Sequence, residues 1–213
     1  MYNKEDSPEN GVPTPHSNFG LLMRIYFNGC SWTWGGELDS NGISRDNKFS
    51  TVICRKMNAI EVNKSKSGSS NFYIMRTSLD ENPKDYDLAI IQLTLRNRTE
   101  YFDKKLNRWA NVHQSLLRKG SPHFNKPHKD NIDLWLEYYK NIYTTEYGLS
   151  YENVACKAIR GHFHSIPVII TTNNADGPEH DLRLEVSKYP RMPKRHPSVE
   201  GHKLIAEDII KLI

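Results

Sequence analysis

The sequence predicts a three-layer α/β/α sandwich built around a mainly parallel sheet. Two runs carry much of that expectation. Asp87–Thr94, DLAIIQLT, is almost unbroken apolar sequence, as in a strand covered on both faces. Ile166–Thr172, IPVIITT, has the same character. The third observation is order: strand-like runs alternate with segments of helical periodicity along the chain. In such sheets a ligand site is expected at the carboxyl ends of the strands.

The elements follow in turn. Residues 1–20, polar and rich in Pro and Asn, read as a flexible leader without the apolar core of a secretory signal. One domain is expected over residues 21–213. Leu21–Phe27 is the first strand, ending at Asn28-Gly29, with a helix expected near Gly36-Glu37. Ala59–Val62 is a short second strand. The polar loop 63–70 leads into a helix marked by Phe72, Ile74, Met75 and Leu79, which Pro83 stops. Residues 97–130, dense in basic and histidine residues, read as an insertion or lid. Asp133–Tyr147 and Tyr151–His162 read as helices. Ser198–Ile213 is a final amphipathic helix, with Ser198 as its cap.

Composition narrows the function classes. At 213 residues, with 37% hydrophobic and 25% charged residues, the chain can bury a full core. No apolar run approaches the roughly 20 residues of a membrane helix, so no membrane partner is expected. Three widely spaced cysteines, Cys30, Cys54 and Cys156, disfavour a disulfide framework and suit a reducing cytoplasm. The net charge of +4 permits an anionic ligand or nucleic acid without demanding either. No sequence feature specifies an oligomeric state.

Three segments carry candidate chemistry. In Asn28-Gly29-Cys30-Ser31-Trp32-Thr33-Trp34-Gly35-Gly36-Glu37-Leu38, Ser31 stands at a tight strand-to-helix turn, where a hydroxyl projects from the sheet edge. An ordinary turn explains the spacing equally well. Gly68-Ser69-Ser70-Asn71 again follows a strand; a Gly68 N–H can serve an oxyanion hole, or the serines can simply cap the next helix. In His196-Pro197-Ser198-Val199-Glu200-Gly201-His202, Pro197 stiffens the chain just before a helix. His196 there is suited to general-base work, or is a surface polar residue; His202 reads as structural.

Taken in order, these three segments resemble the SGNH (GDSL-type) hydrolase superfamily, in particular divergent phage and bacterial members with a Gly-Cys-Ser-aromatic-Thr start. The likeness covers roughly residues 22–94 and 131–213. It implies a flavodoxin-like SGNH fold and an esterase or deacylase acting through an acyl-serine intermediate on a small-molecule or carbohydrate ester, without a cofactor or metal. It implies Ser31 as nucleophile and His196 as base. The Ser31 and Gly68 N–H groups belong to the implied oxyanion hole, with its asparagine at Arg96 or, after a one-residue slip, at Asn97. Arg98 is implied to bind an anionic or oxygen-rich substrate group, or else to pair with Glu100. Trp32 and Trp34 are expected to flank the nucleophile as a pocket wall and, with Asn71, to bind substrate.

The departures are specific. The acidic residue usual after the first glycine is Cys30. The Asp usual three residues before the histidine is Pro193, so a dyad, or a carboxylate from elsewhere, is required; Asp176, Asp181 and Glu185 precede the loop. A catalytically degenerate binding protein on the same scaffold, contacting nucleic acid or a protein, is the alternative, and acyl transfer to another acceptor is a further one. A Cys30 nucleophile, metal binding by His113, His123, His128, His162 or His164, stacking by Trp109 or Trp135, and phosphate contacts by Arg118, Lys119, Lys126 and Lys129 are weaker readings.

Overall fold

The computed structural model describes residues 22–113, 117, 132–174, 177 and 179–213. The expected leader lies outside these residues, as do Asp176, His123, His128 and the Arg118–Lys129 cluster.

Five parallel strands form the central sheet in the order β2-β1-β3-β6-β7: β1 Arg24–Asn28, β2 Ile60–Asn63, β3 Leu88–Leu93, β6 Val168–Thr172 and the two-residue β7 Leu182–Arg183. The near-continuous apolar runs have their cause here, because both faces of β1 and β3 are buried. Ile25, Phe27, Leu88 and Ile90 point into one core cluster, packed with Ile53 of α2 (Phe49–Met57) and with Ile205 and Ile209 of α6 (Val199–Ile210). Tyr26, Ala89 and Ile91 point the other way, against Ile74 of α3 (Asn71–Leu79) and Ile159 of α5 (Thr145–His162). Two residues apart along a strand therefore means the same layer, and one residue apart means opposite layers. Each such fully buried aliphatic side chain contributes about 1.5–3 kcal/mol.

The chain leaves β1 for β2 on one side, then crosses back to place β3 on the other side of β1. That reversal is a topological switch point at the carboxyl ends of β1 and β3, where sheets of this kind generally bind their ligands.

Several boundaries differ from expectation. The helix expected near Gly36 begins at Ser31 instead: α1 spans Ser31–Trp34. Four residues are too few to show periodicity. Gly35, at φ 78°, ends it by a left-handed turn, with Gly36 N–H donating to Ser31 O at 2.7 Å and Gly35 N–H to Trp32 O at 3.3 Å. The single helix expected over 133–147 is broken. α4 spans Ile132–Asn141, and Thr144 caps α5 by accepting from the Tyr147 N–H at 3.1 Å. The expected insertion begins as an antiparallel hairpin, β4 Arg98–Asp103 with β5 Arg108–His113. Its mixed polar and aromatic strands carry a weak alternation, since only Ala110 and Val112 are buried along it. Ser198 caps α6 as expected, accepting from Gly201 N–H at 3.2 Å.

Candidate active site

At the end of β1, Asn28 is fully buried, and its amide nitrogen lies within hydrogen-bond reach of Thr77 Oγ1 at 2.8 Å and Ser78 Oγ at 3.0 Å on α3. Its Oδ1 accepts from the Gly29 N–H at 2.8 Å. Gln92 of β3 accepts from Thr33 Oγ1 at 2.8 Å and from the Thr33 N–H at 3.2 Å. The chain on both sides of Ser31 is thus tied to neighbouring elements. Ser31 itself opens α1 and is 5% exposed. The Cys30 thiol is buried beside Gln92 Oε1 at 3.5 Å, in keeping with a structural sulfur.

His196 reaches this turn from the other end of the chain. Its loop is pinned by Met192 N–H donating to His196 O at 2.8 Å and Ser198 N–H to Pro190 O at 2.9 Å. Gly36 lies between the imidazole and Ser31. A Cβ built on it would sit 3.1 Å from His196 Nε2, 3.0 Å from Cδ2 and 3.1 Å from the Ser31 carbonyl oxygen. Any side chain at 36 would therefore crowd the ring. Among the described residues, Ser31 Oγ makes no hydrogen bond to His196; its neighbour is Cys30 Sγ at 4.0 Å.

The other imidazole nitrogen finds a carboxylate that none of the sequence candidates supplied. His196 Nδ1 lies 3.0 Å from Glu37 Oε2, and Glu37 also accepts from the backbone N–H groups of His196 at 3.2 Å and Lys194 at 2.9 Å. The Glu37 side chain is 4% exposed. Burial opposes its ionisation, but these N–H donors and the imidazole outweigh burial and hold its carboxyl below the ordinary range. A carboxylate can only accept, so Nδ1 is the donor in this contact, and the other ring nitrogen, Nε2, lies against Gly36. Two non-glycine residues flanking this contact, Glu37 and Arg195, both sit at φ 72°. Strain of that kind costs about 1–3 kcal/mol and concentrates at functional sites.

Of the expected carboxylates, Asp181 and Glu185 are among the described residues, and neither meets His196. Asp181 accepts from Arg160 at 2.8 Å and from Ile170 N–H at 2.7 Å, which ties α5 to β6. Glu185 is exposed. One signal for Glu37 was present in the sequence: an acidic residue directly after a helix-stopping glycine pair, in the same turn as the serine.

Other site residues are placed as follows. Gly68, at φ 79°, belongs to a loop held over β1 by Lys66 N–H and Ser69 Oγ, which donate to Gly29 O at 3.2 and 3.1 Å. Asn71 clamps the end of β3, with Oδ1 accepting from Thr94 N–H at 2.7 Å and Nδ2 donating to Thr94 O at 3.2 Å. Asn97 lies in the turn after β3, and its carbonyl accepts from Tyr139 OH at 2.9 Å. Arg96 pairs with buried Glu152 at 2.6 Å. Arg98 donates to Ser69 O at 3.4 Å, and Glu100 pairs with Arg76 rather than with Arg98. Trp32 is a core residue, 7% exposed, while Trp34 lies beneath the Arg45 guanidinium at 4.1 Å. His162 and His164 bond to backbone carbonyls, at 2.7 and 2.9 Å. His202 is fully buried, its Nδ1 accepting from Phe49 N–H at 3.3 Å.

No protein-family model matches the sequence, and no curated protein matches it. Solved structures are similar to it at low sequence identity. A family two carbohydrate esterase from Clostridium thermocellum, in complex with cellohexaose, aligns over 91% of this chain with a TM-score of 0.54 at 10% identity. An acetyl xylan esterase from the rumen bacterium Butyrivibrio proteoclasticus aligns over 89%, with a TM-score of 0.48 at 12% identity. For a lipolytic protein of the G-D-S-L family from Desulfitobacterium hafniense the figures are 90%, 0.42 and 16%, with 99% of that protein covered. The chain spans only 64% and 63% of the length of the two carbohydrate-directed esterases. The parallel five-stranded sheet, with helices on both faces, is the α/β fold shared with the Clostridium thermocellum esterase, in agreement with the fold expected from the sequence.

Proposed function

We propose that the protein is a serine esterase or deacylase whose triad is Ser31, His196 and Glu37. The observation that carries this reading is the Glu37–His196 Nδ1 contact at 3.0 Å, with Gly36 leaving room for Nε2 on the Ser31 side. The missing Asp at position 193 had favoured a degenerate binding protein; Glu37 supplies the function of that carboxylate from the serine's own loop.

Ser31 Oγ attacks the ester carbonyl carbon as its proton passes to His196 Nε2. Glu37 holds the ring's orientation and stabilises the imidazolium. The proton then goes to the leaving alcohol oxygen, giving an acyl-serine. Water attacks that intermediate, its proton again taken by His196, and the acid leaves as Ser31 regains a proton. Ser31 Oγ and His196 Nε2 make no hydrogen bond here, and catalytic hydrogen bonds commonly tighten only when substrate is bound. The N–H groups of Ser31 and Gly68, with Asn97 at the turn after β3, are assigned to the oxyanion, each such donor contributing about 3–4 kcal/mol. The ester's two components are a small acyl group and an alcohol of carbohydrate or other small-molecule type.

The test is labelling by a fluorophosphonate together with turnover of a short-chain p-nitrophenyl ester. Both are expected in the wild type and absent from a folded Ser31→Ala protein. Undiminished turnover in that variant refutes the assignment.

A further inference from the structure

We propose that a cavity beside the Gly68 loop is a recognition site for a carboxylate carried on a single ring of the substrate; this rests on the esterase reading for its biological use, though not for its binding. The cavity measures about 220 Å³. Sites for drug-sized ligands run to roughly 300–1,000 Å³, so this one suits about one ring. Its wall is aromatic: Phe72 lies 5.6 Å from Trp109 and 6.0 Å from Tyr151, centroid to centroid, and Tyr138 and Tyr143 complete it. Such faces accept flat or pyranose rings.

Charge accounting assigns the ligand's polar end. Four of the five charged side chains in or against the wall pair off internally. Glu100, 1% exposed, takes Arg76 at 3.0 Å, and fully buried Glu152 takes Arg96 at 2.6 Å. Arg98 lines the same cavity, half-buried, with only the neutral Ser69 carbonyl as its hydrogen-bond acceptor among the described residues, and that at 3.4 Å. A half-buried guanidinium beside aromatic rings is satisfied best by a carboxylate, which matches its planar fork bidentately. The position fits a substrate site. Ser69 also donates to Gly29 O at 3.1 Å, so one short loop joins Arg98 to the turn that holds Ser31.

The experiment is calorimetric titration of full-length Ser31→Ala protein with galacturonate, benzoate, glucose and inorganic phosphate, repeated with Arg98→Gln and Arg98→Lys added. A ring carboxylate is expected to bind, with glucose and phosphate weaker. Galacturonate over benzoate identifies a sugar acid, and the reverse an aromatic acid. Arg98→Gln is expected to weaken the preferred ligand by about tenfold or more, and Arg98→Lys, which keeps the charge without the fork, by less. Equal affinity for glucose and galacturonate, no binding of any ring acid, or binding that survives Arg98→Gln overturns the proposal. Should Arg98→Gln fail to fold, the carboxylate-against-glucose comparison in the Ser31→Ala protein decides alone. Binding of ring acids by a protein that takes no phosphonate at Ser31 supports the site and separately refutes the esterase.

Discussion

Replacing Glu37 by Gln changes one oxygen for an NH2 group at a point where three donors converge. Lys194 N–H at 2.9 Å, His196 N–H at 3.2 Å and His196 Nδ1 at 3.0 Å all require acceptors. A glutamine presents one acceptor and one donor end, so at least one N–H is left facing another. Losing a hydrogen bond to a charged group costs about 1.5–3 kcal/mol, which at this chain length lowers Tm by about 3–12 °C. The larger effect falls on the reaction. The imidazolium formed at Nε2 loses its counter-charge, and the ring loses the partner that fixes its tautomer. A loss of about 10²–10⁴ in kcat is expected, or about 3–5 kcal/mol of barrier. The readouts are kcat and KM for a short-chain ester, together with the rate of phosphonate labelling. kcat and labelling should fall together while KM stays within about threefold, which separates an effect on the transition state from general damage to the fold. A folded Glu37→Gln protein with kcat within about threefold of the wild type, where Ser31→Ala is inactive, refutes Glu37 as the orienting carboxylate.

Gly36→Ala should reduce turnover with little loss of stability, because the new methyl must displace the His196 ring from positions 3.0 and 3.1 Å away; wild-type kcat would show that the ring has room to spare. His202 is buried neutral, its pKa pushed down from 6.5 to about 3 by burial and then by the charges of His196 and Lys48. The unfolded chain binds that proton first, so stability is full above about pH 6.5 and falls by up to about 1.4 kcal/mol per pH unit as pH drops toward 3. Urea unfolding between pH 7 and 5 should show this slope, and His202→Phe should flatten it. Glu152→Gln removes the fully buried carboxylate that pairs with Arg96 at 2.6 Å, which should cost about 3–5 kcal/mol and lower Tm by about 6–20 °C; an unchanged Tm in thermal denaturation would remove the pair from the core's energetics.

The sequence by itself carried the sheet, because a strand buried on both faces is apolar along most of its length and DLAIIQLT has few other uses. It also singled out Ser31 and His196 as candidates, since a serine before glycines after a strand and a histidine before a proline-stiffened helix start are local patterns. Ser198 and Ser70 as caps were legible for the same reason: the cap and the N–H it accepts, on Gly201 and Tyr73, lie three residues apart. The hairpin β4–β5 was illegible because its strands alternate weakly. The break between α4 and α5 turns on one threonine cap inside an otherwise helical stretch.

Only the tertiary structure decided the partner of His196. Glu37 stands 159 residues from it, and no local periodicity links two loops that meet through hydrogen bonds rather than a shared element. Its side chain reaches the imidazole because Gly35 reverses the chain and Glu37 itself adopts a left-handed backbone, a conformation that propensity argues against and that the surrounding donors enforce. The same holds for Arg98. The sequence placed Glu100 two residues away as its natural partner, but on a strand residues 98 and 100 share a face without competing equally for it. The fold gave Glu100 to Arg76 of α3 and left Arg98 facing the cavity.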